Sequence, residues 1–69
     1  MSAVVLSNGE NIGSSYEVVG GFAWNVVIRD PNGVKVRQGR QKDKMTVRYA
    51  MVAGARELGV VDPVLMEID

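Results

Sequence analysis

The sequence predicts a small α+β domain with the element order β-β-β-α-β, a mixed sheet, and one amphipathic helix on one face of that sheet. Two periodicities carry this prediction. Residues 22–29 place large apolar side chains at every second position, as in a strand, and residues 44–58 repeat them with the period of a helix. A chain of 69 residues that is 46% hydrophobic and 23% charged fits one globular domain, residues 1–69.

The first strand is predicted over residues 3–6, which are apolar and largely β-branched. It ends at Ser7-Asn8-Gly9, a turn signal because Asn and Gly tolerate a positive φ. The polar residues 9–15 predict a connection, after which residues 16–19 resume an extended conformation before a bend at Gly20-Gly21.

A hairpin is predicted after this bend. Its first strand turns the even-numbered residues 22–28 toward the core. Asp30-Pro31-Asn32-Gly33 places Asp, Pro and Gly at positions that a type I turn favours. The return strand covers residues 34–38, and its predicted orientation puts Val34 and Val36 inward and Lys35 and Arg37 outward.

One helix is predicted from Lys44 to Leu58, with Asp43 as its N-cap. Gly59 followed by apolar Val60 is typical of a helix end. The stripe expected to pack on the sheet consists of Val47, Met51, Ala55 and Leu58. A second side is also apolar and consists of Met45, Tyr49, Val52 and Ala53.

The last strand is predicted over residues 64–68, after Asp62-Pro63. Two strands of one sheet that are joined through a helix normally form a parallel, right-handed crossover. This strand is therefore expected to run parallel to a neighbour, which makes the sheet mixed. No second helix is predicted to cover the other sheet face.

Five segments occur in a suggestive order. They are Leu6-Ser7-Asn8-Gly9, Gly20-Gly21-Phe22, Val27 to Gly33, Thr46 to Val60 and Glu67-Ile68-Asp69. In this order they resemble the first strand, the start of the second strand, the hairpin, the first helix and the end of the fourth strand of the ribonuclease H fold. The resemblance covers the first half of that fold and nearly the whole of this chain.

The ribonuclease H family uses clustered carboxylates to hold two magnesium ions. The resemblance matches the first carboxylate to Asn8 and the helix glutamate to Arg48, and only the last to an acid, Asp69. An amide cannot supply the charge, and a guanidinium would take the place of a cation. The resemblance therefore implies a truncated and catalytically inactive relative.

The composition excludes several kinds of site. Histidine and cysteine are absent, which removes imidazole bases, imidazole and thiolate metal ligands, and disulfides. We therefore expect a binding module and not an enzyme, with no catalytic residue, cofactor, metal or small-molecule substrate. Apolar runs are far shorter than the roughly 20 residues of a membrane span and no signal-peptide pattern is present, so a cytoplasmic location is expected.

A protein partner is favoured by the second apolar side of the helix. The predicted contact residues are Met45, Arg48, Tyr49, Val52 and Arg56. A thin core without disulfides also favours oligomerisation, and a homodimer is predicted. The hypothesis is a small modulator or inhibitor of a host macromolecule, which acts as a dimer through its helix and sheet surfaces.

Nucleic-acid binding is the alternative hypothesis. The net charge is zero, but residues 29–48 hold seven bases against only Asp30 and Asp43. The residues predicted to meet phosphates are Lys35, Arg37, Arg40, Lys42 and Lys44.

Overall fold

The computed structural model describes the backbone of residues 2–68 and the side chains of residues 3–67. The elements are β1 (Ser2–Ser7), β2 (Glu10–Val18), β3 (Gly21–Asp30), β4 (Gly33–Gln41), α1 (Lys44–Glu57) and β5 (Val64–Ile68). The strands form one sheet in the order β4-β3-β2-β1-β5, and every neighbouring pair is antiparallel. The prediction of a small α+β fold is confirmed, whereas the predicted β-β-β-α-β order and mixed sheet are wrong.

Four strands precede the helix, because residues 10–18 form a strand that the sequence analysis assigned in part to a connection. Asn8 (φ 53) and Gly9 (φ 82) both adopt the left-handed conformation, so a two-residue turn reverses the chain directly after Ser7. The register shifts between Val5, which pairs with Gly13, and Leu6, which pairs with Asn11. Residue 12 is therefore an extra residue in β2, as in a β-bulge.

The sheet is wholly antiparallel because β5 pairs with β1 and not with β4. Residues 58–63 join the end of α1 to β5 and can extend to about 20 Å, which is enough to reach the far sheet edge. Val64 and Met66 then lie opposite Leu6 and Val4, on an apolar strand. The β4 edge would have offered basic residues instead.

The core lies between α1 and one face of the sheet, where α1 packs mainly on β3 and β4. The predicted helix stripe is buried, and it meets buried side chains of the sheet. The sheet residues of this core are Val5, Trp24 and Val26, and the helix residues are Val47, Met51, Ala55 and Leu58. The predicted core is therefore confirmed for the helix stripe and for the even-numbered face of β3, whereas Val34 and Val36, predicted to point inward, are exposed.

Both predicted helix ends are confirmed. The Thr46 N–H donates to Asp43 Oδ1 at 2.8 Å, which caps the first turn. At the other end Gly59 has φ 99, and its N–H and that of Val60 donate to carbonyls of the last turn. This is the Schellman arrangement, in which a glycine ends the helix.

Trp24 lies between two glycines, Gly39 on β4 and Gly54 on α1. A Cβ at Gly39 would stand 3.0 Å from the indole Nε1, and a Cβ at Gly54 would stand 2.8 Å from Cζ3. Nε1 is buried and has no hydrogen-bond acceptor among residues 3–67. The helix and the edge strand approach the indole closely because neither position carries a side chain.

Candidate interaction surfaces

The two faces of β4 are opposite to those predicted. Asp30 pairs with Gly33, so each even-numbered residue of β3 lies opposite an odd-numbered residue of β4 and shares its face. Trp24 faces the helix, and therefore so do Lys35 and Arg37, whereas Val34 and Val36 face the other way and are exposed. The predicted orientation was wrong because it followed side-chain polarity and not the register that a two-residue loop imposes.

The sheet face that α1 does not cover is largely apolar. We call it the uncovered sheet face, and its exposed apolar residues are Tyr16, Val34, Val36, Val64 and Met66. The strand register places Arg29 and Arg40 on the same face, near opposite ends of the β3–β4 hairpin. Within residues 3–67 the register puts no acidic side chain of the sheet on this face.

A second apolar surface lies on the side of α1 that points away from the sheet. We call it the outer helix stripe, and it consists of Met45, Tyr49, Val52 and Arg56. These positions are four, three and four residues apart, which puts them in one row along a helix. The side chains of Met45 and Tyr49 are 62% and 72% exposed. Four of the five predicted partner-binding residues therefore share one accessible surface.

Arg48, the fifth predicted partner-binding residue, lies beside this stripe and turns toward the sheet. Its guanidinium forms an ion pair with the carboxylate of Glu67 on β5. The pair connects the first half of α1 to the last strand, so a structural role accounts for this arginine.

The five predicted phosphate-contacting residues are divided between different surfaces. Lys35 and Arg37 lie on the helix side of β4, Arg40 lies on the uncovered sheet face, Lys42 lies in the connection and Lys44 begins α1. The structure does not gather them into one basic surface.

Two of these bases have acidic partners within the chain. The Arg37 Nε donates to Glu57 Oε1 on α1 at 3.1 Å, and the Lys35 Nζ lies 3.9 Å from Asp30 Oδ2. All four side chains are partly exposed, so each pair contributes little to stability. Both pairs nevertheless lower the net positive charge that β4 presents.

Arg40 and Lys42 line an open groove of about 450 Å³ at the start of α1, together with Gly20, Asp43 and Thr46. The helix N-terminus in this groove is already capped. Hydrogen bonds from the backbone N–H and the hydroxyl of Thr46 hold the pKa of Asp43 below its ordinary value. The Asp43 carboxylate thus occupies the place where a helix N-terminus would attract an anion.

Within residues 3–67 no group of three or more Asp or Glu side chains is arranged to hold a metal ion. Of the positions that the resemblance matches to catalytic carboxylates, Asn8 lies in the turn after β1, Arg48 is paired with Glu67, and Asp69 falls outside the described residues. In the part of the chain that the structure describes, no helix is long and apolar enough to cross a membrane.

Comparison with protein-family models, with curated proteins and with solved structures gave no match for this chain. The resemblance to ribonuclease H, the non-catalytic assignment and the two classes of partner therefore stay predictions.

Proposed function

We propose that this protein is a non-catalytic protein-binding module that pairs with a second copy through the uncovered sheet face and contacts another protein through the outer helix stripe. In this role it acts as a small modulator or inhibitor of that protein. One observation carries the proposal: residues 2–68 form two layers, one sheet and one helix, and both outer surfaces present exposed apolar side chains. Monomeric proteins rarely leave large apolar patches exposed.

The dimensions of the molecule support pairing of two copies. Its accessible surface is 4710 Å², whereas a compact monomer of 7.5 kDa exposes about 4,250 Å². Its broad face measures 36 by 19 Å, or about 680 Å², which is close to the roughly 800 Å² that each partner contributes to a stable interface. Two sheets packed face to face would bury the exposed valines of both copies.

The outer helix stripe suits a separate protein partner. Met45 adapts its flexible side chain to an uneven surface, and Tyr49 and Arg56 are of the residue types that dominate binding energy in protein interfaces. Because this stripe and the uncovered sheet face lie on opposite sides of the molecule, a dimer formed through the sheets leaves both helices accessible.

Sedimentation equilibrium tests the dimer. Val36→Lys should weaken self-association by about tenfold or more, because it places a desolvated charge in an apolar interface. Val61→Lys is the matched control, since Val61 is 93% exposed and lies in the loop before β5. A wild-type chain that stays monomeric at millimolar concentration, or equal weakening by both variants, would contradict the dimer.

Affinity capture from host lysate, with and without nuclease, tests the partner. A stoichiometric protein that survives nuclease treatment and is lost with Tyr49→Glu, but is kept with Val61→Glu, is the expected result. Equal capture by both variants would remove the outer helix stripe from the proposal.

Nucleic-acid binding is the second candidate, and Arg40 and Lys42 favour it. Neither side chain forms an ion pair with a residue that the structure describes, and both line the groove at the start of α1. Arg40→Glu combined with Lys42→Glu should then abolish binding of a single-stranded oligonucleotide, measured by fluorescence anisotropy. Capture that disappears with nuclease and with this double variant would favour nucleic acid over the protein partner.

A further inference from the structure

We infer that the outer edge of β4 is an additional binding site, which accepts an extended acidic segment of a partner protein as a sixth strand and receives one of its carboxylates beside Gly39. The inference rests on the proposed protein-binding function. It concerns the backbone edge of the sheet, a surface distinct from the outer helix stripe and from the uncovered sheet face.

The edge of β4 is long and regular. β4 is the outermost strand, contains nine residues, and pairs with β3 at every position from Gly33 to Gln41 without a bulge. It contains no proline. Sheet edges are usually shortened, bulged or covered, because their unpaired N–H and C=O groups are a template for another strand. β4 has none of these three features, and its protection is the positive charge of Lys35, Arg37 and Arg40. It therefore suits addition of a strand of opposite charge.

The charge of β4 determines which strand it can accept. β4 contains Lys35, Arg37 and Arg40 and no acidic residue. Two copies of β4 placed side by side would bring bases next to bases, which disfavours pairing of β4 with itself. An extended segment that carries carboxylates would be attracted instead. The Arg37 guanidinium has five donors, and the contacts to Glu57 and to the Val36 carbonyl use only two of them.

Gly39 provides a specific contact within this edge. It is the register partner of Trp24, and Nε1 of the indole lies 3.0 Å from where a Cβ of residue 39 would be. The buried Nε1–H has no acceptor among residues 3–67, and a buried donor without an acceptor is unfavourable. A residue opposite Gly39 on an added strand has its Cβ about 4.5–5.5 Å away, which puts its carboxylate beside the glycine and on the same face as Arg37. Because the Nε1–H is buried in the free chain, contact with it requires a local shift of β4 or of the indole when the strand binds.

The single tryptophan makes this site directly observable, because the chain gives one indole N–H signal in a ¹⁵N-correlated NMR spectrum. The whole chain is titrated with a short, capped peptide of alternating valine and glutamate, and in parallel with the same peptide carrying glutamine. We expect a saturable shift of the Trp24 indole signal and of the β4 amides with the glutamate peptide. Binding of the glutamine peptide should be about tenfold weaker, since the charged hydrogen bonds are lost.

Two variants with the same charge change sharpen the test. Lys35→Gln should weaken binding of the glutamate peptide by about threefold, because Lys35 lies on the same sheet face as Gly39 and the change removes a cross-strand charge pair. Val61→Glu, in the exposed loop before β5, should leave peptide affinity unchanged. Equal effects of the two variants would overturn the inference, as would equal affinity for both peptides or an indole signal that does not move at saturation.

Other occupants of the edge would also be recognised. A single-stranded oligonucleotide that displaces the glutamate peptide and shifts the indole signal more strongly would overturn the inference in favour of nucleic acid. A concentration-dependent shift of the indole signal and of the β4 amides without peptide, kept in the Val36→Lys variant, would overturn it in favour of a second copy at this edge. Tyr49→Glu separates this inference from the proposed function. If this variant still captures the partner and still binds the glutamate peptide, the role of the outer helix stripe is contradicted and the inference about the β4 edge is not.

Discussion

Gly54 of α1 lies directly against the indole of Trp24, at a distance that only a glycine allows. A Cβ at position 54 would stand 2.8 Å from Cζ3 and 2.9 Å from Cη2, and 3.4 Å from the Cβ of Arg37. The indole cannot move away easily, because Gly39 of β4 is in close contact with it on the strand side. The helix thus keeps a residue that lowers its intrinsic stability by about 1 kcal/mol relative to alanine, and gains close packing on the sheet.

Gly54→Ala should therefore destabilise the fold by about 1–3 kcal/mol, although alanine is the better helix former. In a Trp24→Phe background the smaller ring leaves room for the methyl group, so Gly54→Ala should then reduce the free energy of unfolding by less. Urea denaturation followed by far-ultraviolet circular dichroism measures this change in both backgrounds, since Trp24→Phe removes the single tryptophan. A stabilising Gly54→Ala, or the same cost in both backgrounds, would contradict the packing.

Gly13→Ala should be more damaging, with a loss of about 3 kcal/mol or failure to fold. A Cβ at position 13 would stand 2.5 Å from the Asn25 carbonyl oxygen and 2.9 Å from Val26 Cγ2, on the neighbouring strand. A backbone oxygen inside a sheet has little freedom to shift. Thermal denaturation measures the effect, and the adjacent Ser14→Ala should change the melting temperature far less.

Asp43→Asn should reduce the sensitivity of the fold to acid. The pKa of Asp43 lies below its ordinary value because the Thr46 backbone N–H, and then its hydroxyl, bind the carboxylate. A lowered pKa in the folded state means that this stabilisation is complete above about pH 4 and is lost as the pH falls through the folded value. Asparagine caps helices in a pH-independent way. The melting temperature of the wild type should therefore fall more steeply with acid than that of Asp43→Asn, and parallel curves would contradict this.

Reversal of one charge of the Arg48–Glu67 pair should lower the stability slightly, and exchange of both charges should restore it. Arg48→Glu should cost about 0.5–1 kcal/mol, a small value because both side chains are partly exposed. Adding Glu67→Arg should recover most of the loss, which urea denaturation of the two single variants and the double variant would show. Additive losses would mean that α1 and β5 are not coupled through this pair.

The helix could be predicted from the sequence almost residue by residue. Asp43, Gly59 and the stripe from Val47 to Leu58 act through local hydrogen bonds and a 3.6-residue period, and these do not depend on the rest of the fold. The position of Tyr49 on the outer helix stripe could be predicted for the same reason.

Strand β2 was recognised only in part, because residues 10–15 have the composition of a loop. Gly13 and Ser15 are required by packing: no larger residue fits at Gly13, and the buried Ser15 hydroxyl accepts a hydrogen bond from the Ala3 N–H. Such packing requirements override strand propensity, and a propensity scale does not contain them. The Asn8-Gly9 turn was the available signal, since it demands a returning strand at once.

The surfaces of the sheet depended on register and not on composition. Val34 and Val36 look like core residues by polarity, yet the two-residue loop between Asp30 and Gly33 puts them on the uncovered sheet face. The Trp24 indole beside Gly39 could not be predicted, because that contact joins two strands and depends on which residues stand opposite each other.

The pairing of β1 with β5 affects how a growing chain can fold. Val4 is the register partner of Met66, so one side of β1 stays open until the final strand has been synthesised. During that interval β1 to β4 can already pair, while an apolar strand edge faces other nascent chains and chaperones. Contacts between such distant residues also close slowly. Arrival of β5 is therefore the step that covers the apolar edge of β1, after which the basic strand β4 and β5 form the two sheet edges.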